Sequence, residues 1–267
     1  MNDESPILQK LDEHGVLLIT LNRPRKKNAF NDPQWDGLRD ALHAARLDPK
    51  VAVVVLTGAG DDFSAGQDLT AFGAAGEPRP DGKPSGFFGC VEAVFAFDKP
   101  LLGAGKGIAV GGGCTLLIAC DVVYAGESIR MRLPFASLGL VPEIASSYTL
   151  QSAIGRQRAA ELFFTAEWID AARALEMGLA ARVLPDAELL DATLAKAREM
   201  AQWPVSALQA IKQTLMVAHH ESIRAALAVE DEGMARLAGS PENVEAITAF
   251  LEKRAPDFKK FRKESDT

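Results

Sequence analysis

The chain has few cysteines and no long apolar run. Its 267 residues include three cysteines, Cys90, Cys114 and Cys120, and no Cys-x-x-Cys pair. A small and uneven number of cysteines predicts reduced thiols in a cytoplasmic protein. No stretch reaches the roughly 18 uninterrupted apolar residues of a membrane helix. The polar start MNDESPILQK has no signal-peptide core, so we expect no membrane partner.

The chain also has fewer basic than acidic residues. The 29 Lys and Arg residues stand against 36 Asp and Glu residues, which gives a net charge of −7. Because proteins that bind nucleic acids are usually basic, we expect no nucleic-acid partner. The four histidines have no metal-ligand spacing, and no Ser or Cys has the context of a nucleophile elbow. We therefore expect no metal site.

One basic cluster stands out against this acidic total. It consists of Arg23, Arg25, Lys26 and Lys27. A local cluster can bind an anion even when the net charge is negative. Composition alone favours the simpler interpretation, a solvated basic loop.

The hydrophobic pattern predicts an α/β core followed by helices. Apolar, β-branched runs predict strands at residues 15–22, 51–58, 101–110 and 121–126. Asn31 or Asp32, with Pro33, can begin a helix whose apolar residues recur at helical spacing. Strands that alternate with helices favour βαβ units. From about residue 147 onward the periods are helical, and the Gly- and Pro-rich segment 73–85 predicts a loop within the core.

Two glycine-bearing segments follow predicted strands. In DDFSAGQDL (residues 61–69) a buried strand runs into a turn whose backbone N–H groups could bind an anion or a developing oxyanion. In GGGC (residues 111–114) the glycines open an apolar helix, whose first N–H groups are unpaired. An ordinary turn and close helix packing explain the two segments equally well.

Glu143 is the third candidate, in LGLVPEIASSY (residues 138–148). It follows Pro142 and precedes small residues, so it could stabilise the start of a helix by about 0.3–1 kcal/mol. It could also be a base at the edge of a pocket, with a pKa raised by apolar neighbours. Taken alone, the segment favours the helix-capping interpretation.

Together these segments resemble the crotonase superfamily of enoyl-CoA hydratases and isomerases. The resemblance runs from LITLNRPRKKNAF through VVVLTGAGDDFSAGQDLTAF and KGIAVGGGCTLLIACDVVYAG to FLEKRAPDF, nearly the whole chain. It implies a crotonase fold of repeated ββα units over residues 1–200 and a helical trimerisation region over 201–267. It also implies an acyl-CoA thioester as substrate, a homotrimer or a hexamer, and no cofactor beyond the coenzyme A of the substrate.

The resemblance assigns roles to particular residues. The two oxyanion donors fall on the backbone N–H groups of Gln67 and Gly112. The loop that contacts CoA falls on Arg25, Lys26 and Lys27, with Lys253 as a further basic contact near the end of the chain. The remaining predicted substrate-binding residues are Ser64, Ala65, Gly66, Asp68, Leu69, Gly111, Thr115 and Phe135.

Departures from the family pattern bear on the reaction. Thr115 and Phe135 stand where the hydratases of the superfamily carry their two glutamates, so addition of water by two carboxylates is poorly supported. Glu143 instead resembles the base of the peroxisomal type of Δ3,Δ2-enoyl-CoA isomerase. The resemblance implies that Glu143 moves a proton from C2 to C4 of a 3-enoyl-CoA.

Three alternatives stay open. An acyl-CoA hydrolase or dehalogenase could place a nucleophilic carboxylate near Glu143, although the histidine base of the dehalogenases has no counterpart between His43 and His219. A hydratase is disfavoured by Thr115 and Phe135. A non-catalytic acyl-CoA-binding module would explain the loss of both hydratase glutamates but gives no reason to keep Glu143.

Overall fold

The computed structural model describes residues 5–68 and 86–262. Leu69 and the predicted loop at 73–85 lie outside the described residues. A six-stranded sheet forms the centre, in the order β1-β2-β3-β4-β6-β9. Its strands are β1 (Ile7–Leu11), β2 (Val16–Leu21), β3 (Val53–Gly58), β4 (Leu101–Gly105), β6 (Val122–Gly126) and β9 (Arg182–Leu184).

The pairing of this sheet is mostly parallel. Strand β1 runs antiparallel to β2, and each later neighbour pairs in parallel. The parallel strands β3 and β4 are almost entirely buried, as their continuous apolar runs predict. Strand β1 was not predicted from the sequence. Four of its five residues are exposed, because it lies at the sheet edge.

A second, three-stranded sheet has the order β5-β7-β8. Its strands are β5 (Ile108–Val110), β7 (Arg130–Arg132) and β8 (Trp168–Asp170). The single strand predicted at 101–110 is therefore wrong, since β4 and β5 belong to different sheets. The chain turns between them at Gly107, which has φ +59° and passes so close to the Asp61 carbonyl that a Cβ would lie 2.0 Å from it.

Helices cover the sheets and fill the second half of the chain. Helix α1 begins after Asn31, whose side chain accepts a hydrogen bond from the Gln34 N–H, so the predicted cap is confirmed. The helices are α1 (Asp32–Leu47), α2 (Gly86–Ala96), α3 (Gly112–Ile118), α4 (Ser146–Ile154), α5 (Arg156–Thr165), α6 (Ala171–Met177), α7 (Asp186–Ala201), α8 (Val205–Met216), α9 (His220–Leu237) and α10 (Pro241–Leu251).

The main core lies between the sheet and helices α1, α2 and α3. Its largest fully buried side chains include Trp35, Phe30 and Phe97. Burial of such aromatic side chains stabilises the fold by about 1.5–3 kcal/mol each. Helix α9 packs on α4, so the C-terminal helices reach the core rather than extend away from it. The boundary at residue 200 stays a prediction.

Candidate active site

A cavity of about 1180 Å³ opens where the loops after β3 and β5 meet helices α2, α9 and α10. Its wall is mainly apolar, with Trp35, Phe87, Val91, Leu227 and Phe250 among the lining residues. A large apolar cavity with a few polar groups is the usual form of a small-molecule site.

Gln67 lies on the first loop at the cavity wall. Hydrogen bonds hold the residues on either side of it: the Phe30 N–H donates to the Gly66 carbonyl at 2.7 Å, and the Asp68 N–H donates to the Phe30 carbonyl at 2.8 Å. The side chain of Gln67 accepts a hydrogen bond from the Trp35 indole at 3.0 Å. Among the described residues the backbone N–H of Gln67 has no hydrogen-bond acceptor, so it is available to a ligand.

Gly112 begins helix α3 on the second loop, and its backbone N–H also has no acceptor in the described part of the chain. Gly111 precedes it with φ +51°, a conformation that favours glycine. The two loops come together at Gly66, where a Cβ would lie 3.4 Å from the Gly112 nitrogen and 2.4 Å from the Val110 carbonyl. This arrangement brings two unpaired N–H donors to one wall, which suits a developing oxyanion.

Glu143 lies beside Gly112. A Cβ built on Gly112 would be 3.1 Å from Oε1 of Glu143. Burial, and then the negative charge of Glu230, raises the pKa of Glu143 from 4.5 to about 7. A carboxyl group with this pKa can both accept and return a proton near neutrality. The structure thus brings the predicted base and the predicted oxyanion donor together.

Glu230, a residue that the sequence did not single out, holds the segment that follows Glu143. Its carboxylate accepts hydrogen bonds at 2.8 Å from the backbone N–H groups of Ala145 and Ser147. Ile144 and Ala145 both have positive φ, 57° and 51°, which is costly for residues with a side chain. The cap of α4 is therefore supplied by Glu230, and the helix-capping interpretation of Glu143 is wrong.

Of the other predicted residues, Ala65, Gly66, Gly111 and Phe135 line the cavity. Phe135 is buried and its ring centroid lies 6.2 Å from that of Phe163. This side chain supplies an apolar wall and no proton-transfer group.

Three predicted contacts point into the protein instead of the cavity. The Ser64 hydroxyl is buried and donates to the Asn28 carbonyl at 2.8 Å. Asp68 pairs with Arg23 at 3.1 Å. The Thr115 hydroxyl donates back to the Gly111 carbonyl at 3.2 Å. These side-chain groups are satisfied by protein partners and shape the loops, and the role of the three residues toward a substrate stays a prediction.

The predicted CoA contacts lie outside this cavity. Arg25, Lys26 and Lys27 are exposed, and the Lys27 carbonyl accepts the Ala65 N–H at 2.9 Å, which fixes their turn against the Gln67 loop. Lys253 is exposed beyond the end of α10, whereas its neighbour Arg254 lines the cavity. Their role toward CoA stays a prediction.

Within residues 5–68 and 86–262 no cluster of His, Cys, Asp or Glu has the geometry of a metal site. In the same residues no helix combines the length and apolarity needed to cross a membrane.

Known proteins resemble this chain over almost its whole length. A family model described as enoyl-CoA hydratase/isomerase matches residues 12–262. The 2,3-dehydroadipyl-CoA hydratase of Escherichia coli (strain K12) is 37% identical over 249 residues, 92% of this chain and 96% of that protein. The 1,2-epoxyphenylacetyl-CoA isomerase of the same organism is 35% identical over 251 residues, 92% of this chain and 95% of that protein.

Solved structures agree with the sequence comparisons. The enoyl-CoA hydratase/isomerase from Pseudoalteromonas atlantica T6c superposes with a TM-score of 0.89 at 35% identity, over 95% of this chain and 99% of that one. The predicted α/β crotonase fold is confirmed. The relatives include both hydratases and isomerases, and a particular closeness to the peroxisomal isomerases stays a prediction.

Proposed function

Because this chain belongs to the enoyl-CoA hydratase/isomerase family, we propose that it is an isomerase that moves the double bond of a 3-enoyl-CoA to the 2-position. The observation that carries the proposal is the position of Glu143, whose carboxylate lies beside Gly112 at the oxyanion wall. One carboxylate is sufficient for this reaction, since the proton that it removes is the proton that it returns.

The proposed reaction has two proton transfers. Ionised Glu143 takes a proton from C2, and the electron pair of that C–H bond moves into a dienolate whose negative charge lies on the thioester oxygen. The N–H groups of Gln67 and Gly112 would stabilise this oxygen. Protonated Glu143 then returns the proton to C4, and the double bond is left between C2 and C3. A positioned acid–base group contributes about 10²–10⁴-fold and one oxyanion donor about 10²–10³-fold.

Hydration is the second candidate, favoured by the names of relatives such as the 2,3-dehydroadipyl-CoA hydratase. Addition of water to a 2-enoyl-CoA needs a group that activates the water and a group that protonates the carbon. At the two positions that the family resemblance assigns to these groups, Thr115 bonds to its own helix and Phe135 is apolar. This geometry supports isomerisation over hydration.

The test compares the wild type with Glu143→Gln on a 3-enoyl-CoA, by the ultraviolet absorbance of the conjugated product. The same preparations are given a 2-enoyl-CoA to measure hydration. We expect the wild type to isomerise, and the Gln variant, which binds the substrate but cannot exchange the proton, to lose at least about a hundredfold in kcat. Hydration without isomerisation by the wild type, or full activity of the variant, would overturn the proposal.

We also propose that the protein is a homotrimer or a hexamer of two trimers. The C-terminal helices carry exposed apolar side chains that a monomer would leave in water: Ile211, Leu215, Val229, Val244, Phe250 and Leu251. Light scattering coupled to size exclusion tests this, and a monomeric mass at micromolar concentration would contradict it. We expect the reaction to need no cofactor.

A further inference from the structure

Arg132 lies at the end of strand β7 and lines the same cavity as Glu143 and Gly112. Its backbone carbonyl accepts the Gly111 N–H at 3.0 Å, so its Cα stands next to the oxyanion loop. Neither the sequence pattern nor the family resemblance assigns this residue a role. A cationic side chain at this place in a mainly apolar cavity calls for an explanation.

The guanidinium of Arg132 is held at one edge only. Its Nε donates to the Ala166 carbonyl at 2.6 Å, and its Cζ lies 5.4 Å from the ring centroid of Trp168. No carboxylate of the described residues forms an ion pair with it, and burial is the one cause that shifts its pKa. Within residues 5–68 and 86–262 neither terminal nitrogen of its planar fork has a hydrogen-bond partner, so both can serve a ligand.

Other partly buried arginines of this protein are paired. Arg23 meets Asp68 at 3.1 Å, and Arg39 meets Asp36 at 2.7 Å. Burial lowers the pKa of Arg132, the direction expected when a charge is desolvated without a counterion. Arg224 also lines the cavity, but it is exposed and water can solvate it. Arg132 is therefore the cavity arginine that most needs an anionic partner.

We propose that Arg132 binds a carboxylate at the far end of the acyl chain, so that the preferred substrates are CoA thioesters of dicarboxylic acids. This inference rests on the proposed function only in taking the cavity as the acyl-CoA site. A carboxylate matches the guanidinium fork with two parallel hydrogen bonds. Pro134 and Phe135 line the same cavity as Glu143 and Arg132, and apolar side chains of this kind suit the methylene groups between the two ends of such a substrate.

The test measures binding, not turnover, with saturated thioesters that cannot isomerise. Isothermal titration calorimetry compares succinyl-, adipyl- and suberyl-CoA with butyryl-, hexanoyl- and octanoyl-CoA on the full chain. Arg132→Met removes the charge and keeps a long side chain. Arg130→Met is the matched control, because Arg130 lies two residues earlier on β7 and stacks on Trp168 with its Cζ 4.7 Å from the ring centroid, but does not line the cavity.

We expect at least one dicarboxylyl-CoA to bind about tenfold more tightly than its monocarboxylyl counterpart, as a charge-assisted hydrogen-bonded pair allows. Arg132→Met should abolish this preference while its affinity for the monocarboxylyl thioesters, which also reports that it is folded, stays unchanged. Arg132→Lys should keep part of the preference, and Arg130→Met all of it.

Equal binding of both series by the wild type, or an unchanged preference in Arg132→Met, would overturn the assignment of Arg132 and leave the isomerase proposal intact. Failure of every thioester to bind would overturn both.

Discussion

Glu230 binds the backbone immediately after Glu143 and at the same time raises the pKa of Glu143 through its charge. One carboxylate thus holds the backbone next to the other and adds to the rise in pKa that burial gives it. Glu230 is buried, and burial raises its own pKa as well, against the hydrogen bonds from Ser147 and Ala145 that lower it. Two coupled carboxyl groups at a cavity wall are a common means of tuning an acid–base residue.

The pH dependence of the isomerase reaction should report this coupling. Because Glu143 must be ionised to take the first proton, kcat/KM should fall as the pH drops below about 7. In Glu230→Gln the neighbouring charge is gone, so the acidic limb should move to lower pH. It should stay above the ordinary carboxyl range, since burial is the larger cause of the shift.

The matched control for this experiment is Glu92→Gln. Glu92 also lines the cavity, but it neither bonds to the segment 144–147 nor contributes to the raised pKa of Glu143 or of Glu230. Its removal should leave the acidic limb where it is. If the acidic limb of the kcat/KM profile lies at the same pH in the wild type and in Glu230→Gln, Glu230 has a structural role only.

Glu143 should cost the protein stability at neutral pH. Its pKa is about 7 when folded and 4.5 in its ordinary state. Between these values the unfolded chain is ionised and the folded chain is protonated, so the free energy of unfolding falls as the pH rises through this window. Glu143→Gln removes the penalty and should be more stable than the wild type by about 1–3 kcal/mol at pH above 7.

Urea unfolding of both proteins at a series of pH values would measure this difference. The difference should shrink below pH 4.5, where the carboxyl group is protonated in both states. A constant difference at all pH values would mean that packing rather than ionisation separates the two proteins.

Alanine substitutions at two neighbouring glycines, Gly112 and Gly113, should affect activity and stability differently. In Gly112→Ala the new Cβ would lie 3.1 Å from Glu143 Oε1 and 3.4 Å from the Trp35 ring, so the base must shift by a few tenths of an ångström. We expect a folded protein with kcat reduced about tenfold to a hundredfold, because small displacements of a catalytic group are costly.

In Gly113→Ala the new Cβ would instead lie 2.6 Å from the Ser64 carbonyl oxygen, a backbone atom that cannot yield easily. The main loss should then be in stability, on the order of 1–3 kcal/mol for overpacking. Thermal unfolding and steady-state kinetics on both variants would separate the two effects. Equal losses of stability would argue against a specific effect on Glu143.

The exposed basic turn offers a test of CoA recognition. Replacement of Arg25 and Lys26 by Gln should raise KM for CoA thioesters several-fold at low salt, and less at high salt, as expected for exposed contacts with phosphate. Truncated N-acetylcysteamine thioesters, which lack the phosphates, should show no change. The double replacement of Lys10 and Lys50, two exposed lysines elsewhere on the surface, is the matched control and should leave KM unchanged.

Several features were predictable from the sequence because they depend on neighbours in the chain. The buried strands β3 and β6 follow from their apolar runs, and the start of α1 follows from Asn31 and Pro33. Gln67 and Gly112 could be located from the glycine-bearing turns and the family resemblance. The resemblance also identified Glu143, whose segment alone favoured a helix cap.

The rest depends on contacts between residues distant in the chain. The division of 101–110 into two strands follows from the close approach of Gly107 to Asp61. Glu230 stands in an acidic helical stretch that has the pattern of a solvated face, and only the packing of α9 on α4 brings it to Ala145. The raised pKa of Glu143 and the lowered pKa of Arg132 depend on burial, which is a property of the assembled cavity. Local patterns determined which groups are present, and tertiary packing decided how they are charged and which of them meet.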